Sequence, residues 1–263
     1  MRLETFSTAA YQIMNTLFYI LLFTFIATII SLVLVGVLLF HRTFLHRISF
    51  TLVSFAAGAL LATAFLDTFP EALQSGGQSV FLWVLLSIAG FFIIERLFLV
   101  IHHHDDDDEH QESVKMPTAF LLFGDGMHNF IDGASIAASF LVSIPLGIVT
   151  SIAVFIHEIP HELGDFGILL NKGMGRGKVL GYNLLTGVMA IAGALLAFYL
   201  GDKFRELVPV LLSITTGNFI YLSATDLLPE IHHHSKKHPG WLNTIFFLLG
   251  ILLIYLLATF IHE

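Results

Sequence analysis

The chain has 263 residues, of which 56% are hydrophobic and only 12% are charged. A soluble domain carries about 25% charged residues, so this composition excludes an ordinary soluble fold and favours a polytopic membrane protein. The absence of cysteine excludes a disulfide-bonded secreted module and thiolate metal sites, and the net charge of −8 argues against a nucleic-acid partner.

Apolar stretches long enough to cross a bilayer of about 30 Å recur along the whole chain. They predict eight helical spans in a single transmembrane domain over residues 1–263, near residues 15–40, 50–70, 80–101, 117–140, 146–170, 178–200, 205–228 and 241–262. None shows the alternating pattern of a membrane β-strand, so the expected fold is all-α. The first apolar run lacks a small-x-small cleavage site and is interpreted as a span rather than a signal peptide.

The distribution of basic residues predicts the orientation of the spans. Eight basic residues fall in the connections between spans 1–2, 3–4, 5–6 and 7–8: Arg42, Arg47, Lys115, Lys172, Arg176, Lys178, Lys236 and Lys237. The opposite side has only Arg2, Lys203 and Arg205. We therefore expect a multi-pass protein of the cell membrane with both termini outside the cytoplasm.

Two His-rich connections lie on the predicted cytoplasmic side. Residues 102–115 form a His- and Asp-rich loop that we expect to be disordered, and a second cluster lies between spans seven and eight. These loops are either solvated linkers or sites of weak metal capture. The histidines concerned are His102, His103, His104, His232, His233 and His234.

Spans two and seven contain a repeated pattern. The stretch GALLATAFLDTFPE covers residues 58–71 and GNFIYLSATDLLPE covers residues 217–230. Each has a Gly, an Asp nine residues later, and then Pro-Glu. Because the two spans run in opposite directions in the expected topology, the pattern predicts an inverted-repeat transporter with three spans, a central pair and three spans.

The acidic residues of this repeat lie near the ends of their spans. Asp67 and Glu71 are on the outer side of the predicted topology, and Asp226 and Glu230 on the cytoplasmic side. Carboxylates at both ends of a pathway would raise the local cation concentration. Simple solvation of helix ends is the alternative interpretation.

Spans four and five carry an unusual number of ionisable residues. Each such group in a bilayer costs a few kcal/mol on insertion scales, so a purely structural span does not accumulate them without partners. Asp125, His128 and Asp132 belong to span four, and His157, Glu158, His161, Glu162 and Asp165 to span five. This concentration predicts a functional site near the bilayer centre.

Helical spacing groups several of these side chains on common faces. His128 and Asp132 are four residues apart, as are His157 and His161. Asn129 adds a carbonyl oxygen. Imidazole nitrogen combined with carboxylate oxygen suits zinc, whereas magnesium and calcium prefer all-oxygen sites. Asn183 in span six could also approach this site.

Two other classes of protein remain open at this point. His157 to His161 reads HEIPH, a literal HExxH motif of zinc peptidases. Pro160 is an awkward residue in such a catalytic helix, and a peptidase leaves the polar residues of span four unexplained. A metal sensor or structural membrane protein is the third class.

Four motifs resemble the ZIP family of divalent-metal transporters, and in particular its His-rich subfamily. Span four reads HNFIDGASIA over residues 128–137, similar to the family's HNFxDG signature. Span five reads HEIPHELGDFGILL over residues 157–170, similar to the subfamily's HExPHExGD signature. Tyr182-Asn183 and the stretch ATDLLPE over residues 224–230 also resemble the family.

The resemblance implies zinc transport into the cytoplasm, with iron, manganese or cadmium as lesser substrates. Zinc is then the transported substrate, with no organic cofactor and no enzymatic reaction. The implied transport site consists of His128, Asn129, Asp132, His157, Glu158 and His161. Asp125, Glu162 and Asp165 are candidate pathway residues, together with the acidic pairs and Asn183 above.

The family is often homodimeric. Some relatives have a Glu in span six that helps to bridge two metals, but span six here has no acidic residue.

Overall fold

The computed structural model describes residues 2–38, 42–103, 118–229, 231 and 240–262. These residues form helices and no strand. The helices are α1 (Arg2–Leu38), α2 (Arg42–Thr63), α3 (Phe69–Gly76), α4 (Ser79–His103), α5 (Thr118–Val142), α6 (Ile144–Asn171), α7 (Arg176–Lys203), α8 (Val208–Leu222) and α9 (Gly240–His262). Short π-helical turns at Ala64–Thr68 and Ser223–Leu227 extend α2 and α8.

Seven segments of the described chain are long and apolar enough to cross a membrane. Helix α5 is not among them, although its 25 residues give a length of about 37 Å. Its mean hydropathy is reduced by the polar run that includes Asp125, His128 and Asp132. The described helices confirm the expected all-α polytopic membrane protein.

The helices pack as two groups that meet along α6, α2 and α8. In one group α5 packs against α7 and α1 packs against α6. In the other, α2 packs against α9 and α4 packs against α8. Exchanging spans one, two and three with spans six, seven and eight, and α5 with α6, converts each of these pairings into the other pairing of its group. The packing thus has the symmetry expected of a repeat.

The two π-helical turns occupy equivalent positions in the two repeated stretches. Each begins six residues after the repeat glycine, Gly58 or Gly217. The Oγ1 atoms of Thr68 and Thr216 are 2.8 Å apart, so the end of one stretch meets the start of the other. At the other end of the contact, the Ser223 hydroxyl donates to the Ala57 carbonyl at 3.0 Å. The two stretches therefore cross in opposite directions, and the inverted repeat is confirmed.

Helices α5 and α7 approach closely at a pair of glycines. A Cβ atom on Gly133 would overlap the Ala190 carbonyl oxygen, and one on Gly193 would overlap the Phe130 carbonyl oxygen. Small residues permit this approach between membrane helices. The sequence motif also includes Gly164 and Gly167, but both face open space and bring no helix closer.

Helices α5 and α6 are joined by one residue, Ser143, and so form an antiparallel hairpin. Ser143 is extended, with φ −156° and ψ 155°, and its Oγ accepts a hydrogen bond of 3.2 Å from the Leu146 amide. This N-cap satisfies an amide that the first turn of α6 would otherwise leave free. The tight turn fixes the register that brings the polar centres of the two helices together.

Candidate metal-binding site

The polar residues of α5 and α6 meet about halfway along both helices. At 1.5 Å per residue, Asp132 is about 15 Å from one end of α5 and about 21 Å from the other. His157 lies at a similar depth in α6, about 20 Å from each end. Both side chains are buried, as are those of the neighbouring Asn129 and Glu158. The site therefore lies near the middle of the two spans.

Four ligand-type side chains form a cluster, which we call the central cluster: His128, Asp132, His157 and Glu158. His128 Nε2 is 3.4 Å from Asp132 Oδ2 and 3.3 Å from Glu158 Oε1. His157 Nε2 is 3.0 Å from Asp132 Oδ2 and 3.9 Å from Glu158 Oε1. The two Nε2 atoms are 3.2 Å apart. Two imidazole nitrogens and two carboxylate oxygens thus converge on one point.

These distances match the spacing of ligands around zinc. Tetrahedral zinc with ligands at 2.0–2.2 Å separates the ligand atoms by about 3.3–3.6 Å. The contacts of the central cluster range from 3.0 to 3.9 Å. Both oxygens of Asp132 and of Glu158 are buried without a hydrogen-bond partner. A cation would satisfy these carboxylates, which are costly to bury alone.

The His157 ring is oriented by the backbone of its own helix. Its Nδ1 lies 3.1 Å from the Ala153 carbonyl oxygen, so this nitrogen is the donor of the ring. The Nε2 lone pair is then left for the central cluster. A carbonyl partner of this kind fixes the tautomer of a metal-binding imidazole.

A second cluster lies one turn away, formed by Asp125, His161 and Asp165; we call it the lower cluster. Its ligand atoms lie within 4.8 Å of one another. His161 Nδ1 is 3.6 Å from Asp165 Oδ2. The sequence motif placed His161 with His157, whereas the structure places its Nδ1 with two aspartates that sequence analysis assigned to the pathway. The four-residue spacing of His161 and Asp165 is the signal that could have identified this cluster.

Asn129 contacts the lower cluster rather than the central one. Its Nδ2 donates to Asp125 Oδ1 at 2.8 Å and to the Asp125 backbone carbonyl at 3.2 Å. In this geometry Asn129 orients a carboxylate. Its role as a direct metal ligand remains a prediction.

Two other predicted pathway residues, Glu162 and Asn183, are buried. Glu162 is 1% exposed and neither of its carboxylate oxygens has a hydrogen-bond partner. In α7, Asn183 donates to the Val179 carbonyl at 2.8 Å, and its Oδ1 is buried without a partner. Neither belongs to the two clusters.

The acidic pairs of the repeat differ in their surroundings. Asp67 is buried in its π-helical turn, whereas Asp226 is exposed in the equivalent turn and accepts a hydrogen bond of 2.9 Å from Thr225. Glu71 is half-buried in the first turn of α3. Glu230, His104 and His232, His233 and His234 lie outside the described residues, and His102 and His103 are described only as the end of α4.

The geometry does not fit an HExxH peptidase. In such an enzyme the two His residues bind one metal and the Glu acts on a water molecule. Here His157 belongs to the central cluster and His161 to the lower one, while Glu158 Oε1 lies among the atoms of the central cluster. The Glu therefore occupies a ligand position instead of the position of a base.

The family model for the ZIP zinc transporters matches residues 100–258, which include both clusters. The chain belongs to the ZIP zinc transporter family. ZIP proteins are transporters rather than enzymes, so the peptidase alternative is set aside.

Individual ZIP relatives match different lengths of the chain. Zinc transporter ZIP10 of Danio rerio is 44% identical over 119 residues, which are 45% of this chain and 14% of that protein. Zinc transporter foi of Drosophila melanogaster is 37% identical over 150 residues, 57% of this chain and 21% of that protein. Zinc transporter ZIP13 of Pongo abelii is 31% identical over 227 residues, 80% of this chain and 67% of that protein. The chain thus spans only a small part of the length of ZIP10 and foi.

Proposed function

We propose that this ZIP protein carries zinc across the membrane through the central cluster on α5 and α6. The observation that carries the proposal is the convergence of two imidazole nitrogens and two carboxylate oxygens at zinc spacing, with contacts of 3.0–3.9 Å. A buried ionisable group within a membrane span marks an ion pathway or a paired site. Here four such groups come from two adjacent helices.

The surrounding architecture supports a carrier rather than a structural zinc site. The cluster lies at mid-depth between helices related by an inverted repeat, which is where transporters of this design bind their substrates. His128 is the least buried of its side chains, at 13% exposed, against 3% or less for Asp132, His157 and Glu158. An ion held there has one open side for arrival and release.

The ligand set favours zinc over magnesium and calcium. Neutral imidazole and carboxylate suit borderline divalent ions, whereas the alkaline-earth ions require more oxygen ligands. Iron, manganese and cadmium share part of this preference, and we include them as lesser substrates. We propose import into the cytoplasm, in a cell membrane, with both termini outside; a homodimer also remains a prediction.

Uptake by purified protein tests the proposed function. Proteoliposomes that contain the full chain should accumulate zinc faster than empty liposomes, with slower uptake of manganese and no uptake of magnesium. The measurement is the zinc content of the vesicles over time. Equal zinc accumulation in protein-containing and empty liposomes would contradict the carrier.

The orientation can be tested with single cysteines, because the chain has none of its own. Gln78, between α3 and α4, and Gly175, between α6 and α7, are both exposed and lie in connections on opposite sides. In intact cells a membrane-impermeant thiol reagent should label Gln78→Cys and leave Gly175→Cys unlabelled until the cells are permeabilised. The reverse labelling pattern would show that the spans have the opposite orientation and that the distribution of basic residues predicts it wrongly.

A further inference from the structure

A groove between α1 and α7 lies on the face of the helix group that is turned toward the bilayer. We propose that this groove binds an acyl chain of an anionic phospholipid, whose headgroup lies on Arg176 and Lys178. The ligand is a membrane lipid rather than a metal ion, so the site is separate from the central cluster and independent of the proposed transport.

The groove forms because α1 and α7 diverge from a close contact. A Cβ atom on Gly187 would lie 2.6 Å from Thr28 Cγ2, so the two helices touch there. One to two turns nearer the start of α7, they enclose a groove of about 390 Å³, which is lined by two glycines and five leucine or valine side chains. Val33, Val37 and Leu184 in this lining are exposed. The groove is therefore open to lipid and offers only apolar side chains, which are the chemical match of a lipid tail.

Two glycines, Gly36 and Gly181, give the groove its depth. A Cβ atom on Gly181 would have nothing within 4 Å, and one on Gly36 would make only an ordinary contact of 3.5 Å with Leu180. Neither glycine has a positive φ, and neither faces a backbone as closely as Gly133 does. A glycine weakens the interior of a helix. What these two provide in return is space on the bilayer side of the helix pair, which a lipid chain can fill.

Two cationic side chains lie beside the groove in the first turn of α7. Arg176 and Lys178 are both exposed. Arg176 precedes Leu180 by four residues and Lys178 precedes Gly181 by three, so both cations share the face of α7 that lines the groove. The groove residues of α7 begin about 6 Å from the start of the helix. Because helical side chains tilt toward the N-terminus, the cations extend from the groove toward the membrane surface, where a headgroup lies.

The charge of this surface selects the occupant. Basic pockets between membrane helices on the cytoplasmic side bind anionic headgroups, and the distribution of basic residues predicts that the start of α7 is on that side. A zwitterionic lipid would bring an ammonium group toward Arg176 and Lys178 and gain less. A second copy of this chain, paired by two-fold symmetry at the groove, would bring the same two cations to the interface, where they would repel each other.

Lipid binding to the full chain in detergent tests the site. Native mass spectrometry with added dioleoyl-phosphatidylglycerol or dioleoyl-phosphatidylcholine gives the number of lipids bound and their relative affinity. Wild type should retain one phosphatidylglycerol more tightly than phosphatidylcholine. Arg176→Gln and Lys178→Gln should each weaken phosphatidylglycerol binding about 5-fold, which is the usual contribution of one basic residue near an anionic surface. Gly181→Leu should weaken binding of both lipids, because its side chain fills the groove.

Two matched controls separate the site from general effects on charge and packing. Lys203→Gln removes a cation at the other end of α7, and Gly90→Leu adds the same side chain to α4 at a position where a Cβ has nothing within 4 Å. Both should bind phosphatidylglycerol like wild type. The Tm of each variant without added lipid checks that it is folded, and the two Gln variants test the site even if Gly181→Leu does not fold.

Four results would overturn the lipid site. The first is equal affinity of wild type for the two lipids, and the second is unchanged phosphatidylglycerol binding in both Gln variants. The third is displacement of the lipid by glycerophosphoglycerol at the same concentration as by whole phosphatidylglycerol, because the groove would then contribute nothing. The fourth is a dimer that Gly181→Leu dissociates and Gly90→Leu does not, which would assign the groove to a second copy of the chain.

Discussion

Zinc uptake should fall by at least about 100-fold when His157 is replaced by Ala. The substitution removes the nitrogen that lies 3.0 Å from Asp132 Oδ2 and leaves two buried carboxylates facing one remaining imidazole. Loss even of an outer hydrogen-bond partner costs about 10–100-fold in metal affinity, and loss of a direct ligand costs more. The measurement is the initial rate of zinc uptake into proteoliposomes, with reconstituted protein quantified in each sample.

Glu158→Gln extends the same prediction and distinguishes it from peptidase chemistry. Because Glu158 Oε1 is 3.3 Å from His128 Nε2, we expect this variant to lose bound zinc as well as uptake. A peptidase glutamate that acts on water would leave the metal in place when changed to Gln. Glu206→Gln, at an exposed position between α7 and α8, is the control and should transport at the wild-type rate.

Zinc should also stabilise wild-type protein against heat. A ligand present at about 100 times its Kd adds about 2.7 kcal/mol to the stability of the state that binds it. His157→Ala should lose most of this gain while it remains folded in the absence of metal. A variant that keeps the wild-type gain in Tm with zinc and transports normally would show that His157 is not a ligand.

Much of this architecture can be predicted from local sequence features. The hydropathy of the chain predicts the helices, and the Gly-Asp-Pro-Glu spacing of residues 58–71 and 217–230 predicts the repeat. What the spacing cannot predict is the π-helical turn at each aspartate, Asp67 and Asp226. An extra residue in a helical turn rotates every side chain after it, and no residue type specifies that insertion on its own.

Spacing also proved a poor guide to how the ligand residues divide between the clusters. His157 and His161 share a helical face, but the Ala153 carbonyl holds one ring and Asp165 lies 3.6 Å from the other. Which partner each ring adopts depends on rotamers and on the facing residues of α5. The residues of the site are therefore predictable from α5 and α6 separately, whereas their grouping requires the packed pair.

The burial of the acidic repeat residues shows a similar limit. Asp67 and Asp226 occupy equivalent positions in sequence and in their π-helical turns, but only Asp67 is buried. Equivalent sequence therefore does not give equivalent surroundings, because different helices cover the two turns. An entrance and an exit built from the same motif can consequently differ in their access to water.

Gly133→Ala should destabilise the protein by about 1–3 kcal/mol or more, because the contact it disrupts is backbone against backbone. The new Cβ would overlap the Ala190 carbonyl oxygen, which belongs to a helix and cannot rotate away. In the wild-type protein Gly193 makes the matching close approach on the other side of this contact, against the Phe130 carbonyl oxygen. In the variant, α5 and α7 must move apart at this contact. Since Asp132 is the residue next to Gly133, the shift also displaces a ligand of the central cluster.

The expected result is a lower Tm together with slower zinc uptake, measured on detergent-purified protein and in proteoliposomes. Gly181→Ala in α7 is the matched control, because a Cβ there has nothing within 4 Å. It removes the same glycine flexibility from a helix and should be neutral, or more stable by about 0.5–1 kcal/mol. If both variants lower the Tm equally, general loss of glycine rather than the close approach of α5 and α7 would be the cause. If only Gly133→Ala does so, the helix that carries half of the ligands is held in place by a contact in which neither backbone tolerates a side chain.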